Sequence, residues 1–207
     1  MLKSRSPSCG LGDVKLFQTR IADSKWKREA TGQFAQTVRS VFPDHAAVSD
    51  SQLLNNSARD RWLTRVFLSA EFRAIRTAKA LRAFHDRHAL LFTMFNKTLE
   101  RELRAMSAGV KSVESRLPEY FRLFNSCLSR TPRRASVAQL LAIAFDHYAS
   151  FLSRWERIQF RSLIDKYLDA KATINGCRKH VQVLAVRYDK TFVMQHSAFR
   201  PYPPALM

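Results

Sequence analysis

The chain has 207 residues, 46% of them hydrophobic, with 15 phenylalanines against 5 glycines. That much apolar material builds a core and excludes wholesale disorder, and so few glycines suit helices better than a loop-rich sandwich. Thirty-five lysines and arginines against 17 acids leave a net charge of +18, which points to a polyanionic partner, nucleic acid before an anionic membrane surface. Met1–Gly10 is polar and has no apolar signal region, and no run approaches the roughly 18 apolar residues of a membrane span. Cys9, Cys127 and Cys177 are odd in number and scattered, unlike a disulfide framework. The expectation is a cytoplasmic protein that spans no membrane.

In chain order, Ser6-Pro7-Ser8-Cys9-Gly10 gathers turn formers around a cysteine. A thiol in such a loop can approach a metal or cluster, with Ser6 and Ser8 hydroxyls near the sulfur; the plainer alternative is a free thiol in a surface loop. Asp13 to Gln18 reads as a short strand, Thr19 to Glu29 as a polar loop, and Phe34, Ala35, Val38 and Phe42 as a helical stripe ended by Pro43. Ala46 to Val48 would be a second brief strand, giving the outline of an incomplete α/β unit.

From Asn56 the pattern is helical. Ser57 opens a helix with Trp62, Val66, Ala70 and Ala74 inward. Ala80 to Met106 reads as one long amphipathic helix, with Leu81, Phe84, His88, Leu91, Phe95, Leu99 and Met106 on one side and Gly109 as its stop. Pro118 suits the first turn of a helix carrying Tyr120, Phe121, Phe124 and Leu128. Ser136 with Gln139, and Ser153 with Glu156, match capping boxes. The first would open a helix with Val137, Leu140, Leu141, Ala144, Tyr148 and Phe151 inward. Asn175-Gly176 reads as a turn before a helix from Cys177 to Tyr188, and Arg200 to Pro204 as an extended tail. The fold class is mainly α: a helical bundle behind an α/β remnant with one or two strands, divided as 1–56 and 57–207.

Six arginines, Arg130, Arg133, Arg134, Arg154, Arg157 and Arg161, face only Asp146 and Glu156 between Ser129 and Arg161. Arg154, Arg157 and Arg161 share a helical face, and guanidinium forks match phosphate oxygens. Trp155, Tyr148 and Tyr202 are flat enough to stack bases, although core packing is the expected role of the first two. His85 and His88 share a face of the central helix and are both candidate RNA-site residues, His85 as an anion or base contact and His88 in the core or lining the groove; a metal pair would need further ligands that the spacing does not supply.

These residues resemble two known families. Leu2-Lys3-x-x-Ser6-Pro7-Ser8-Cys9-Gly10 resembles the third cysteine motif of the thiouracil desulfidase (YbbK-like) family, whose three cysteines hold a [4Fe–4S] cluster that removes sulfur from a thiolated pyrimidine. Gly32-Gln33-Phe34-Ala35, Phe42-Pro43, Leu53-Leu54-Asn55 and Arg65-Val66-Phe67 continue the pattern. From about Leu81 the chain resembles the YbgA-like helical domain, through Phe84-His85-x-x-His88, Thr131-x-x-Arg134, Val137-x-Gln139 and Pro201-Tyr202-Pro203 with Leu206. The fused architecture is associated with desulfuration of 4-thiouridine in tRNA, with the helical domain holding the RNA.

The resemblance implies Ser6 and Cys9 as catalytic residues, Cys9 as one ligand of an incomplete cluster set, and tRNA or another RNA as partner. Two earlier cysteine motifs are missing, Leu140 stands where the family usually has histidine, and the chain ends before a basic-amide pair that often closes the domain. The expectation is therefore a tRNA-binding domain of a desulfidase whose catalytic part is truncated. It would hold no cluster alone, unless a partner chain supplies ligands; the rival is a non-catalytic nucleic-acid or protein adaptor.

Overall fold

The computed structural model describes residues 1–17, 26–108 and 113–207, which divide into two units, Met1–Leu63 and Thr64–Met207. In the first unit, β1 (Leu11–Phe17) and β2 (Trp26–Thr31) form an antiparallel ribbon with Val14 opposite Ala30 and Lys15 opposite Glu29. The pairing shifts between Leu11 and Val14, and Gly12 there adopts φ +97°, a conformation open to glycine at no steric cost. Helix α1 (Gln33–Val41) follows. A Cβ on Gly32, its N-cap, would lie 2.3 Å from the Ser8 carbonyl, so this close approach of the Ser6–Gly10 loop needs glycine.

The second strand is thus not Ala46–Val48. That segment contributes only an isolated parallel bridge, Leu2 with Ser49, and the strands pair as a hairpin rather than through a crossover helix. The expected Thr19–Glu29 loop lies in part outside the described residues, and its last four residues belong to β2. The α1 stripe is also mostly unburied: Ala35 is inside while Phe34, Val41 and Phe42 are exposed. A 3-10 turn (Ser51–Leu54) leads into α2 (Asn56–Phe72), where Asn55 rather than Ser57 supplies the cap by accepting from Ala58 N–H at 3.0 Å.

The second unit is helical. After the last turns of α2 come α3 (Ala78–Phe95), α4 (Lys97–Ser107), α5 (Leu117–Cys127), α6 (Arg134–Tyr148), α7 (Arg154–Leu168), α8 (Ile174–Arg187) and α9 (Lys190–Gln195). Helix α3 is central, touching α4, α5, α6 and the 3-10 turn Ser197–Phe199. The described helices include none long and apolar enough to cross a membrane.

The core forms around rings. Phe72 lies 5.4 Å from Phe84, 5.6 Å from Tyr120 and 5.3 Å from Phe124, and Phe92 closes the group against Phe84 and Phe124. Burying each such side chain is worth roughly 1.5–3 kcal/mol, which explains why α2 and the turn after it bury Leu68, Phe72 and Ile75 and leave Ala70 and Ala74 exposed. An alanine stripe has too little area to win that choice.

The expected long helix is two. At Asn96 the backbone turns extended (φ −159°, ψ 104°), and its side chain accepts from Thr98 and Leu99 N–H groups at 3.0 and 3.1 Å. One asparagine ends α3, caps α4 and redirects the chain. The expected stop at Gly109 lies outside the described residues.

Local signals succeed elsewhere. Pro118 occupies the first turn of α5, and the Ser153–Glu156 capping box is complete, with Ser153 N–H donating to Glu156 at 2.9 Å. The Ser136–Gln139 pair does not cap: α6 starts earlier, with Arg133 at its N-cap and no side-chain cap. Asn175 and Gly176 lie inside α8, whose cap is Thr173. The C-terminal segment is no free tail, since Ala198, Phe199 and Tyr202 are buried and Pro204–Leu206 forms a 3-10 turn.

Candidate nucleic-acid interface

The histidines of the Phe84-His85-x-x-His88 pattern lie inside, each 1% exposed. His85 Nδ1 stands 3.1 Å from the Tyr120 hydroxyl and its Nε2 faces Glu100 Oε1 at 3.5 Å, while Arg104 of the next turn donates to that oxygen at 2.6 Å. His88 Nδ1 stands 2.6 Å from the Ser197 hydroxyl, and its Nε2 faces Glu71 Oε2 at 3.4 Å. The consistent assignment has each hydroxyl donating to Nδ1, with the ring proton on Nε2 towards the carboxylate. Burial holds both imidazoles below their usual pKa, against the raising influence of Glu100 and Glu71 respectively. These rings tie α3 to α2, α4, α5 and the 197–199 turn, and offer no open face to a phosphate or base.

Tyr202 is also inside, 4% exposed, with its hydroxyl bonded to Asn175. Tyr148 is buried and donates to the Asp189 carbonyl at 2.8 Å; burial pushes its phenol up to about 12. Sequence reasoning missed the groups that hold these residues, namely Glu71, Glu100, Arg178 and Ser197. Their signal is non-local: a glutamate or arginine announces burial only when its partner, far away in sequence, is known.

The arginines are outside, and the structure separates them. In the antiparallel α6–α7 hairpin, Arg133 and Arg134 start α6 beside the end of α7, where Arg134 donates to the Tyr167 carbonyl at 2.6 Å and lies 5.3 Å over its ring. Arg154 and Arg157 belong to the opposite end. Tyr167 stands thirteen residue steps along α7 from Arg154, about 20 Å at 1.5 Å per residue. The two sets are therefore ends of one cationic strip rather than neighbours, and Arg161, 5.1 Å over the Phe145 ring, lies between them.

Arg130, Arg133, Arg154, Arg157 and Arg161 are all exposed, and among the described residues no carboxylate pairs with them. Glu156, by contrast, is taken by Arg187 at 2.5 Å and by Ser153. The strip also carries rings. Trp155 is 66% exposed and Phe151 52%, although the sequence placed Phe151 inward and favoured the core for Trp155. The signal was present: Phe160, Leu163, Ile164 and Tyr167 share one face of α7, and Trp155 lies off it.

Each cysteine has a setting of its own. Cys127 and Cys177 are buried in the helical core, where burial pushes their thiols up to about 12 and about 11 respectively. Cys127 is oriented towards the Phe92 carbonyl at 3.6 Å. Cys9 is half-buried in its loop, its N–H donating to the Ser6 hydroxyl at 3.2 Å. Among the described residues, no three His, Cys, Asp or Glu side chains gather as metal ligands. The residues present do not fit a [4Fe–4S] cluster, which needs three or four thiolates.

Comparison with curated proteins and with solved structures gives no match. One family model matches, described as "Protein of unknown function (DUF1722)", over residues 90–203. The match takes in the end of α3, α4 to α9 and the Ser197–Phe199 turn, more than half of the chain's length, and the protein belongs to the DUF1722 family.

Proposed function

We propose that the helical unit is an RNA-holding module whose contact surface is the outer side of the α6–α7 hairpin. The observation that carries this reading is the strip of exposed arginines without carboxylate partners, Arg130 and Arg133 at one end and Arg154, Arg157 and Arg161 towards the other, on a chain of net charge +18. Guanidinium groups so placed bind phosphate oxygens in a strongly salt-dependent way, because each contact releases condensed counterions. The module acts in the cytoplasm, and tRNA is the first substrate to test. His85, His88 and Tyr202 position the scaffold in this reading and do not touch the RNA.

The link to desulfuration of a thiolated base rests on the Ser6–Gly10 loop. It is a built feature: Ala35 N–H of α1 donates to the Ser8 carbonyl at 3.1 Å and Gly32 N–H to the Gly10 carbonyl at 2.8 Å. Catalysis would require thiolates from another chain beside Cys9, and no step of it is assigned to this protein.

The test is tRNA binding against salt for the wild type and for Arg154→Gln/Arg157→Gln/Arg161→Gln. Three lost phosphate contacts lower the log–log salt slope by about 2 to 3. Unchanged affinity and slope would remove α7 from the interface. Arg134 is unsuitable as a probe, since its loss also frees the end of α7; Arg157 also donates to the Leu152 carbonyl at 3.0 Å, so unchanged circular dichroism is the folding control for the triple variant.

A further inference from the structure

We infer that the α7 end of this surface selects unpaired nucleotides, by stacking a base on Trp155, rather than tracking a duplex; the inference rests on the RNA reading above. The exposed side of α7 reads Arg154, Trp155, Arg157, Ile158, Arg161, with Ile158 50% exposed and Trp155 66%. At 100° per residue, Trp155, Ile158 and Arg161 form one ridge and Arg154 lies beside it. Apolar groups, one of them the flat indole of Trp155, and phosphate-binding forks thus alternate along one helix face.

The neighbourhood continues the pattern. Phe151 is 52% exposed and stacks on Tyr188 at 5.8 Å with an interplanar angle of 19°. The Tyr188 hydroxyl is bonded to Glu156, and Arg187 lies 5.0 Å over the Tyr188 ring. These rings are therefore held in place before any ligand arrives. The acids nearby are Glu156, neutralised by Arg187, and Asp146 and Asp165, which leave the three α7 arginines in local excess.

This composition decides between partners. A duplex offers only phosphates and groove edges to a convex helix surface, and would leave a two-thirds exposed indole in water. An unpaired base has an apolar face for the indole, with its own phosphates within reach of Arg154 and Arg161. Stacking of this kind is sequence-tolerant, and its removal by alanine weakens binding by about tenfold or more. A loop, a bulge or a single-stranded end of a structured RNA is the expected occupant.

The experiment measures binding of the full chain to a fluorescein-labelled single-stranded 12-mer RNA, to the same 12-mer in a duplex, and to phosphatidylserine vesicles. The variants are Trp155→Ala and Trp155→Phe, with unchanged circular dichroism as the folding control. The inference expects the single strand to bind more tightly, Trp155→Ala to lose about tenfold on it and little on the duplex, and Trp155→Phe to retain most of the affinity. Quenching of tryptophan emission by the single strand should disappear in Trp155→Phe. Equal binding of both RNAs with no effect of Trp155→Ala overturns the inference and leaves the RNA reading standing. Vesicle binding with no RNA binding, or binding of none of the three ligands, overturns both.

Discussion

Two imidazoles one helical turn apart on α3, each with a hydroxyl on one nitrogen and a glutamate facing the other, set the chemistry of the core at the level of single residues. His85→Ala strands the buried Tyr120 hydroxyl and leaves the buried Glu100 carboxylate to Arg104 alone, and the expected loss of stability is about 2 kcal/mol. Tyr120→Phe should cost less, and the two changes should not add, because they remove the same bond. Urea denaturation of the two single variants and the double one measures the coupling; strict additivity would mean that the 3.1 Å contact contributes nothing. His88 was readable from the sequence as an inward residue. His85 was not, since its burial depends on Glu100 and Arg104 from a helix that the periodicity had fused to α3.

At the level of elements, the break at Asn96 governs how α3 and α4 meet. Apolar spacing ran through Asn96 without a fault, so the sequence offered one helix where the chain makes two. The cap that divides them has no glutamate or glutamine at its third position, the usual written sign of a start. Ser153 and Glu156 carry that sign and were read correctly; Ser136 and Gln139 carry it too, yet α6 begins before them, where Arg134 is fastened to the end of α7. Tertiary contacts overrode the local signal in one case and supported it in the other. Asn96→Ala removes two backbone bonds at the start of α4, and the expected cost is about 1 kcal/mol, seen as a lower urea midpoint at an unchanged slope. A variant as stable as the wild type would show that packing alone fixes the turn. The arginines of the interface were legible residue by residue, but not their arrangement as two ends of a strip, because that follows from the antiparallel course of α6 and α7.

For the molecule as a whole, four imidazoles share one property. Burial lowers the pKa of His85, His88, His180 and His196. The unfolded chain therefore takes up protons first as pH falls below the ordinary histidine value of about 6.5, while the folded chain resists. Their contribution to stability is complete above that pH and is lost as pH drops through and below it. Denaturant midpoints should hold from pH 8 to 7 and fall by pH 5.5; a level midpoint across that range would contradict the burial of neutral rings. RNA binding has a separate signature, since arginine stays charged throughout, so affinity should follow salt and not pH between 7 and 8. The mainly helical class was evident from composition and spacing. The hairpin of β1 and β2 was only half visible, because β2 presents charged residues where a strand is usually recognised by branched and aromatic ones.

The closing turns after α9 have a consequence for how the protein is made. Arg178, 1% exposed, donates to the Ala198 carbonyl at 2.8 Å; Gln182 donates to the Phe199 carbonyl; and Ser197 serves His88. A translation product stopped at Gln195 would carry a guanidinium sunk among apolar side chains without this acceptor, and would leave the pocket of Phe199 open to water. Such fragments should be cleared by cellular quality control rather than persist as short active forms, so nonsense changes just after α9 would act as complete losses.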